Sequence, residues 1–178
     1  MKFRTTVGFW RWNAPARRPG KYAEAEFTWG TVEVHRALGP FPPAGPRVES
    51  WEFRPVSGRV LTLHDAGSPG HDLHERAERG ITVEYAGRTG TLAAQKSVKV
   101  SERRVTLHIG EDGLALRRIG GRTVVVDRSG TELATRRLGR WELARPSEPL
   151  QLFLTVLAAA DLEGHLGSPL WGYLSELF

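Results

Sequence analysis

Leu150-Gln151-Leu152-Phe153-Leu154-Thr155-Val156-Leu157-Ala158-Ala159-Ala160-Asp161-Leu162 is the stretch that decides how the rest of the chain must fold. Ser147 before it is a good N-cap, Pro149 fits a first helical turn, Glu148 complements the positive end of the helix dipole, and Gly164 supplies a stop. The pattern predicts a helix over 150–162. Around its wheel only Gln151 and Thr155 interrupt an apolar cylinder, whereas a surface helix would carry a broad charged face. Such a helix is buried on nearly every side. At about 1.5 Å per residue it spans roughly 20 Å, short of the about 30 Å hydrocarbon core of a bilayer. Asp161 and Glu163 follow at once, so the burying walls are expected to be protein.

What precedes the helix is strand after strand. Lys2 to Trp12 alternates moderately and reads as a first strand, and Asn13 to Gly20 as a loop. Ala25 to Arg36 reads as one long strand with a bulge at Gly30, and the proline-rich 38–46 as a surface connector. Trp51 to Pro55 and Arg59 to His64 flank a turn at Val56-Ser57-Gly58. Asp65 to Arg79 is the longest irregular stretch, with room for a short helix around Asp72 to Glu78. Strands are then expected at 81–85, 91–100, 103–109, 114–118, 123–126, 131–137 and 140–144, separated by turns such as Gly87-Arg88-Thr89-Gly90, Gly120-Gly121 and Asp127-Arg128-Ser129-Gly130. About ten to twelve strands exceed what a strongly twisted open sheet carries without curling or closing. The fold class is therefore mainly β: one antiparallel β-barrel or strongly curled sheet, its interior filled by the C-terminal helix. The whole of 1–178 reads as a single domain. It divides into a basic N-terminal strand and loop (1–24), a β-meander (25–146), the central helix (147–163) and a C-terminal cap (164–178).

The hairpin Thr123-Val124-Val125-Val126-Asp127-Arg128-Ser129-Gly130-Thr131-Glu132-Leu133-Ala134, followed by Arg140-Trp141-Glu142-Leu143-Ala144 and the apolar helix ending in Asp161, resembles the tubby C-terminal-like superfamily. That superfamily includes the LURP-one-related proteins and the phospholipid scramblases, and the likeness covers 121–163. It implies a many-stranded barrel threaded by a hydrophobic C-terminal helix. Tubby domains bind phosphoinositides through basic residues, and no motif here aligns with those positions. Scramblases depend on palmitoylated cysteines, and this chain has none. The resemblance thus implies a non-enzymatic barrel and leaves its ligand open.

The net charge of +5 is uneven, because Lys2, Arg4, Arg11, Arg17, Arg18 and Lys21 all precede the first acid, Glu24. Arg11, Arg17 and Arg18, interleaved with Trp10 and Trp12, form a candidate anion-binding arm. The adjacent pairs Arg103-Arg104, Arg117-Arg118 and Arg136-Arg137 lie in predicted strands, where neighbouring side chains point to opposite faces. Such pairs belong near the barrel ends, where they form a basic ring fit for an anionic headgroup. His64, His71, Asp72 and His74 fall within one loop and make the alternative candidate, a Zn²⁺-like metal site in a metal-binding protein or metal-dependent enzyme.

Without cysteine, disulfides and thiolate chemistry are excluded, and the reducing cytoplasm is the expected compartment. No run reaches signal-peptide or membrane-spanning form, so at most a peripheral membrane contact is expected. No Gly-x-Ser-x-Gly, phosphate-loop, His-Glu-x-x-His or dinucleotide motif occurs. The reading is a non-catalytic binding module without a cofactor, for an anionic lipid or an acidic protein partner in preference to nucleic acid. Nothing in the sequence sets an oligomeric state.

Overall fold

The computed structural model describes residues 3–5, 20–27, 30–38, 49–67, 71–137 and 140–166. The strands are β1 (Phe3–Thr5), β2 (Gly20–Phe27), β3 (Gly30–Leu38), β4 (Glu49–Pro55), β5 (Leu61–His64), β6 (Ile81–Tyr85), β7 (Arg88–Gln95), β8 (Arg104–Ile109), β9 (Asp112–Ile119), β10 (Arg122–Asp127), β11 (Glu132–Arg137) and β12 (Arg140–Leu143). Helix α1 (His71–Arg79) joins β5 to β6, and α2 (Glu148–Ala159) follows β12. From β2 to β12 each strand pairs antiparallel with the next, and β1 completes the twelve-stranded sheet by pairing with β12. Consecutive strands β1 and β2 thus lie at opposite ends of the sheet. Were it flat, they would be roughly 53 Å apart, about the full stretch of the chain from Thr5 to Gly20. Strong curling removes that tension. Among the described residues no ladder joins β1 to β2, so the sheet is curled and not closed.

The curl encloses α2. Leu150 through Leu157 are all buried, and Ala159 with them, so every face of the helix meets protein. Ser147 caps it, its hydroxyl accepting from the Leu150 amide at 3.4 Å. Burial of Thr155 is tolerated because its hydroxyl donates to the Gln151 carbonyl at 2.8 Å. At the entry to α2, the Glu148 carboxylate accepts from the Arg59 amide at 2.7 Å and from the Tyr85 hydroxyl at 2.9 Å. Burial and this carboxylate neighbour push the Tyr85 phenol up to about 12.

Three sequence expectations are corrected. Residues 25–36 are not one strand: Phe27 pairs with Gly30, so the chain reverses between them and forms the β2–β3 hairpin. A period-two pattern persists on both sides of such a reversal, which hides it. The turn expected at 87–90 sits instead at Ala86 and Gly87, both with positive φ, and Gly90 lies within β7. There a side chain would strike the His108 carbonyl, 1.9 Å from where its Cβ would sit. The central helix stops at Ala159, not at 162–163. Asp161 takes the left-handed conformation (φ 50°), and Leu162–Leu166, Gly164 included, form a 3-10 turn.

The expected short helix is present as α1. Leu73 and Ala77, one turn apart, are buried, while Asp72–Arg76 (3.0 Å) and Glu75–Arg79 form i,i+4 ion pairs on its other faces. Together α1 and the Leu162–Leu166 turn cover the end of the sheet from which α2 emerges. There the His74 ring contacts the Ala160 carbonyl at 2.9 Å and the His165 ring at 4.8 Å between centroids.

Candidate functional site

The antiparallel meander carries the three arginine pairs to one rim. Arg103 and Arg104 stand at the start of β8, Arg117 and Arg118 near the end of β9, and Arg136 and Arg137 at the end of β11. The register fixes their neighbours: Arg104 lies opposite Arg117, and Thr123 of β10 separates Arg118 from Arg136. The rim is basic, but its members are not equivalent. Arg103 precedes the strand and is buried (5 % exposed), its Nε donating to the Ser97 carbonyl at 2.6 Å. It is a structural strut, which corrects its reading as a strand residue open to ligand. Arg136 is engaged by Glu163 and Arg137 by Glu142 at 3.7 Å.

Arg104, Arg117 and Arg118 have no ion-pair partner among the described residues. Directly opposed residues of antiparallel strands bring their Cβ atoms to about 5 Å, where like charges repel. Arg104 and Arg117 are therefore a cation pair held by the register, uncompensated by carboxylate, on the outer face of the sheet. An anion placed between them would relieve the repulsion. Arg11, Arg17 and Arg18 lie outside the described residues.

Beside this pair the chain leaves three apolar side chains in water. The β7–β8 connection presents Val98 at 94 % exposure and Val100 at 36 %, and the end of β9 presents Ile119 at 45 %. Lys99, also exposed, sits between the valines and meets Glu102 at 3.4 Å. Sequence reasoning extended the strand through 100 and so placed these valines within the sheet. The strand ends at Gln95 instead. Alternating Val and Lys reads the same in a half-buried strand and in an exposed loop, so the pattern held no signal for the difference.

The histidine candidates are dispersed. His64, on β5, pairs with Glu84 of β6 at 3.2 Å, Asp72 is held by Arg76 at 3.0 Å, and His74 turns to the end of α2. The side chain of His71 lies outside the description. Among the described residues no three His, Asp or Glu side chains come together as a metal site. No sequence pattern pointed to His165, which is buried beside His74 with neither ring nitrogen hydrogen-bonded among the described residues.

From the rim a groove of about 690 Å³ runs along the outer face of β7, β8 and β9. Arg104 and Arg117 line one end, and His108, Gly113 and Arg128 the other. Among the described residues no helix is long and apolar enough to cross a membrane. Compared with known proteins, the chain matches no family model, no curated protein and no solved structure.

Proposed function

We propose that the chain is a non-catalytic, tubby-like module whose basic rim makes a peripheral contact with an anionic bilayer surface. The observation that carries this reading is the conjunction on one rim of exposed Val98, Val100 and Ile119 with the uncompensated cations Arg104, Arg117 and Arg118. Apolar tips flanked by cations suit an interface in which acyl chains lie just beneath anionic headgroups. An acidic protein surface would use the arginines and leave the valines in water.

Each cation near an anionic leaflet contributes about 1 kcal/mol, and a fully buried valine roughly 1.5 kcal/mol. Three free arginines and two half-inserted valines therefore support on the order of 4.5 kcal/mol, a reversible contact of several hundred micromolar. Co-sedimentation with phosphatidylcholine vesicles, with and without phosphatidylserine, tests it. Binding is expected only with phosphatidylserine, falling with salt, lost in Arg104→Glu/Arg117→Glu and weakened in Val98→Asp. Absence of binding to the anionic vesicles, or binding indifferent to these substitutions, overturns the reading. Retention on an acidic polypeptide alone would assign the rim to a protein partner.

A further inference from the structure

The groove on the outer face of β7, β8 and β9 differs in chemistry from the rim above it. Along β8 the side chains of Arg104, Thr106 and His108 share one face. Across from them in register stand Arg117, Ala115 and Gly113 of β9. Small residues in the middle make the trough, since Ala93 of β7 pairs with Thr106, which pairs with Ala115. At the far end Gly113 leaves room for its neighbours. A Cβ there would lie 2.7 Å from Arg128 Cγ and 2.9 Å from His108 Nδ1, so these two side chains converge over a position where the sheet has none. Arg128 is steadied by donating to the Gly110 carbonyl at 3.1 Å and by Glu111 at 3.6 Å.

The trough therefore has a basic group at each end. Four residue steps along the strand take Arg104 to His108, about 13 Å at roughly 3.3 Å per residue. The two carboxylates that line it are already occupied. Glu78 is paired with Lys96, and Asp127 accepts from the Ser129 amide (2.9 Å), the Ser129 hydroxyl (2.6 Å) and the Thr131 amide (2.9 Å) in its turn. These hydrogen bonds, the Ser129 hydroxyl first, hold the Asp127 carboxyl below its ordinary value, so it stays anionic and engaged.

We propose that this trough binds an elongated small molecule with an anionic group at each end, a bisphosphate in kind, one end between Arg104 and Arg117 and the other between His108 and Arg128. The volume of about 690 Å³ is that of a small-molecule site. Small side chains along the floor leave room for the connecting carbon skeleton, and the Thr106 hydroxyl, which reaches the Ala93 carbonyl at 3.5 Å, adds a polar group midway. The trough shares Arg104 and Arg117 with the bilayer contact and does not rest on it, because Arg128 and His108 lie at the far end of the groove from the rim.

Isothermal titration with fructose 1,6-bisphosphate and with inorganic phosphate provides the test. One bisphosphate is expected per chain, at least tenfold tighter than phosphate. Arg128→Ala and Arg104→Ala are each expected to remove that advantage, with unchanged circular dichroism and melting. Arg128→Ala is further expected to leave sedimentation with phosphatidylserine vesicles untouched, which separates this site from the rim. Equal affinity for phosphate and bisphosphate, no binding of either, or a bisphosphate affinity unchanged in Arg128→Ala would each overturn the proposal.

Discussion

Lowering the pH is expected to destabilise this protein through one residue, His165. Its ring is buried in the turn that covers the end of α2, neither nitrogen finds a hydrogen bond among the described residues, and His74 stands 4.8 Å away. Burial foremost, with the neighbouring His74, pushes the imidazole from 6.5 down to about 4, against the opposing pull of Glu78. The folded state therefore prefers the neutral ring. Its contribution is complete above pH 6.5 and is lost as the pH falls toward 4, because there the unfolded chain takes up a proton that the folded chain refuses. At pH 5 the unfolded chain is about 1.5 pH units below its titration point, which corresponds to roughly 2 kcal/mol. Urea denaturation at pH 7.5 and pH 5, followed by circular dichroism, measures this against His165→Leu, which keeps an apolar side chain and removes the proton site. The stability difference between parent and variant is expected to move by about 2 kcal/mol in favour of the variant on acidification. Parallel pH profiles for the two proteins would refute the reasoning, since other groups titrate equally in both.

Two further outcomes bear on the architecture. Leu154→Asp or Leu157→Asp places a lone carboxylate in the centre of a helix with no solvent-facing side, both positions being fully buried. Loss of soluble folded protein is expected, and a variant that melted like the parent would put the helix at the surface. Glu49 is 1 % exposed, bound by Arg36, whose guanidinium also lies 5.8 Å from the ring centre of Trp51. Arg36→Ala is expected to cost more than about 1 kcal/mol in urea denaturation at pH 7.5 by removing one ion-pair partner of that buried carboxylate, and a smaller cost would contradict it.

Much of the fold was legible because it follows from short-range rules. The Ser147 cap, the apolar wheel of 150–157 and the tight turns at Gly120-Gly121 and Asp127–Gly130 each state their structure within a few residues. The β2–β3 reversal was not, since Thr28-Trp29 carries no turn signal and alternation continues through it. The site was legible only in part. Its arginine pairs stood out, but which arginines stay free depends on Ser97, Glu142 and Glu163, contacts made across the fold.

By itself the sequence determined that a buried helix had to be wrapped by strands, because an apolar cylinder too short for a bilayer can be satisfied only by protein walls. It also determined that no thiol chemistry takes place. Tertiary structure alone decided that Arg104 faces Arg117, that Arg128 and His108 meet over Gly113, and that His165 is sealed against His74. Those facts are set by strand register and by the packing of α1 on the end of α2. Register depends on pairing between segments distant along the chain, and local pattern constrains which face a residue takes, not which neighbour it finds there.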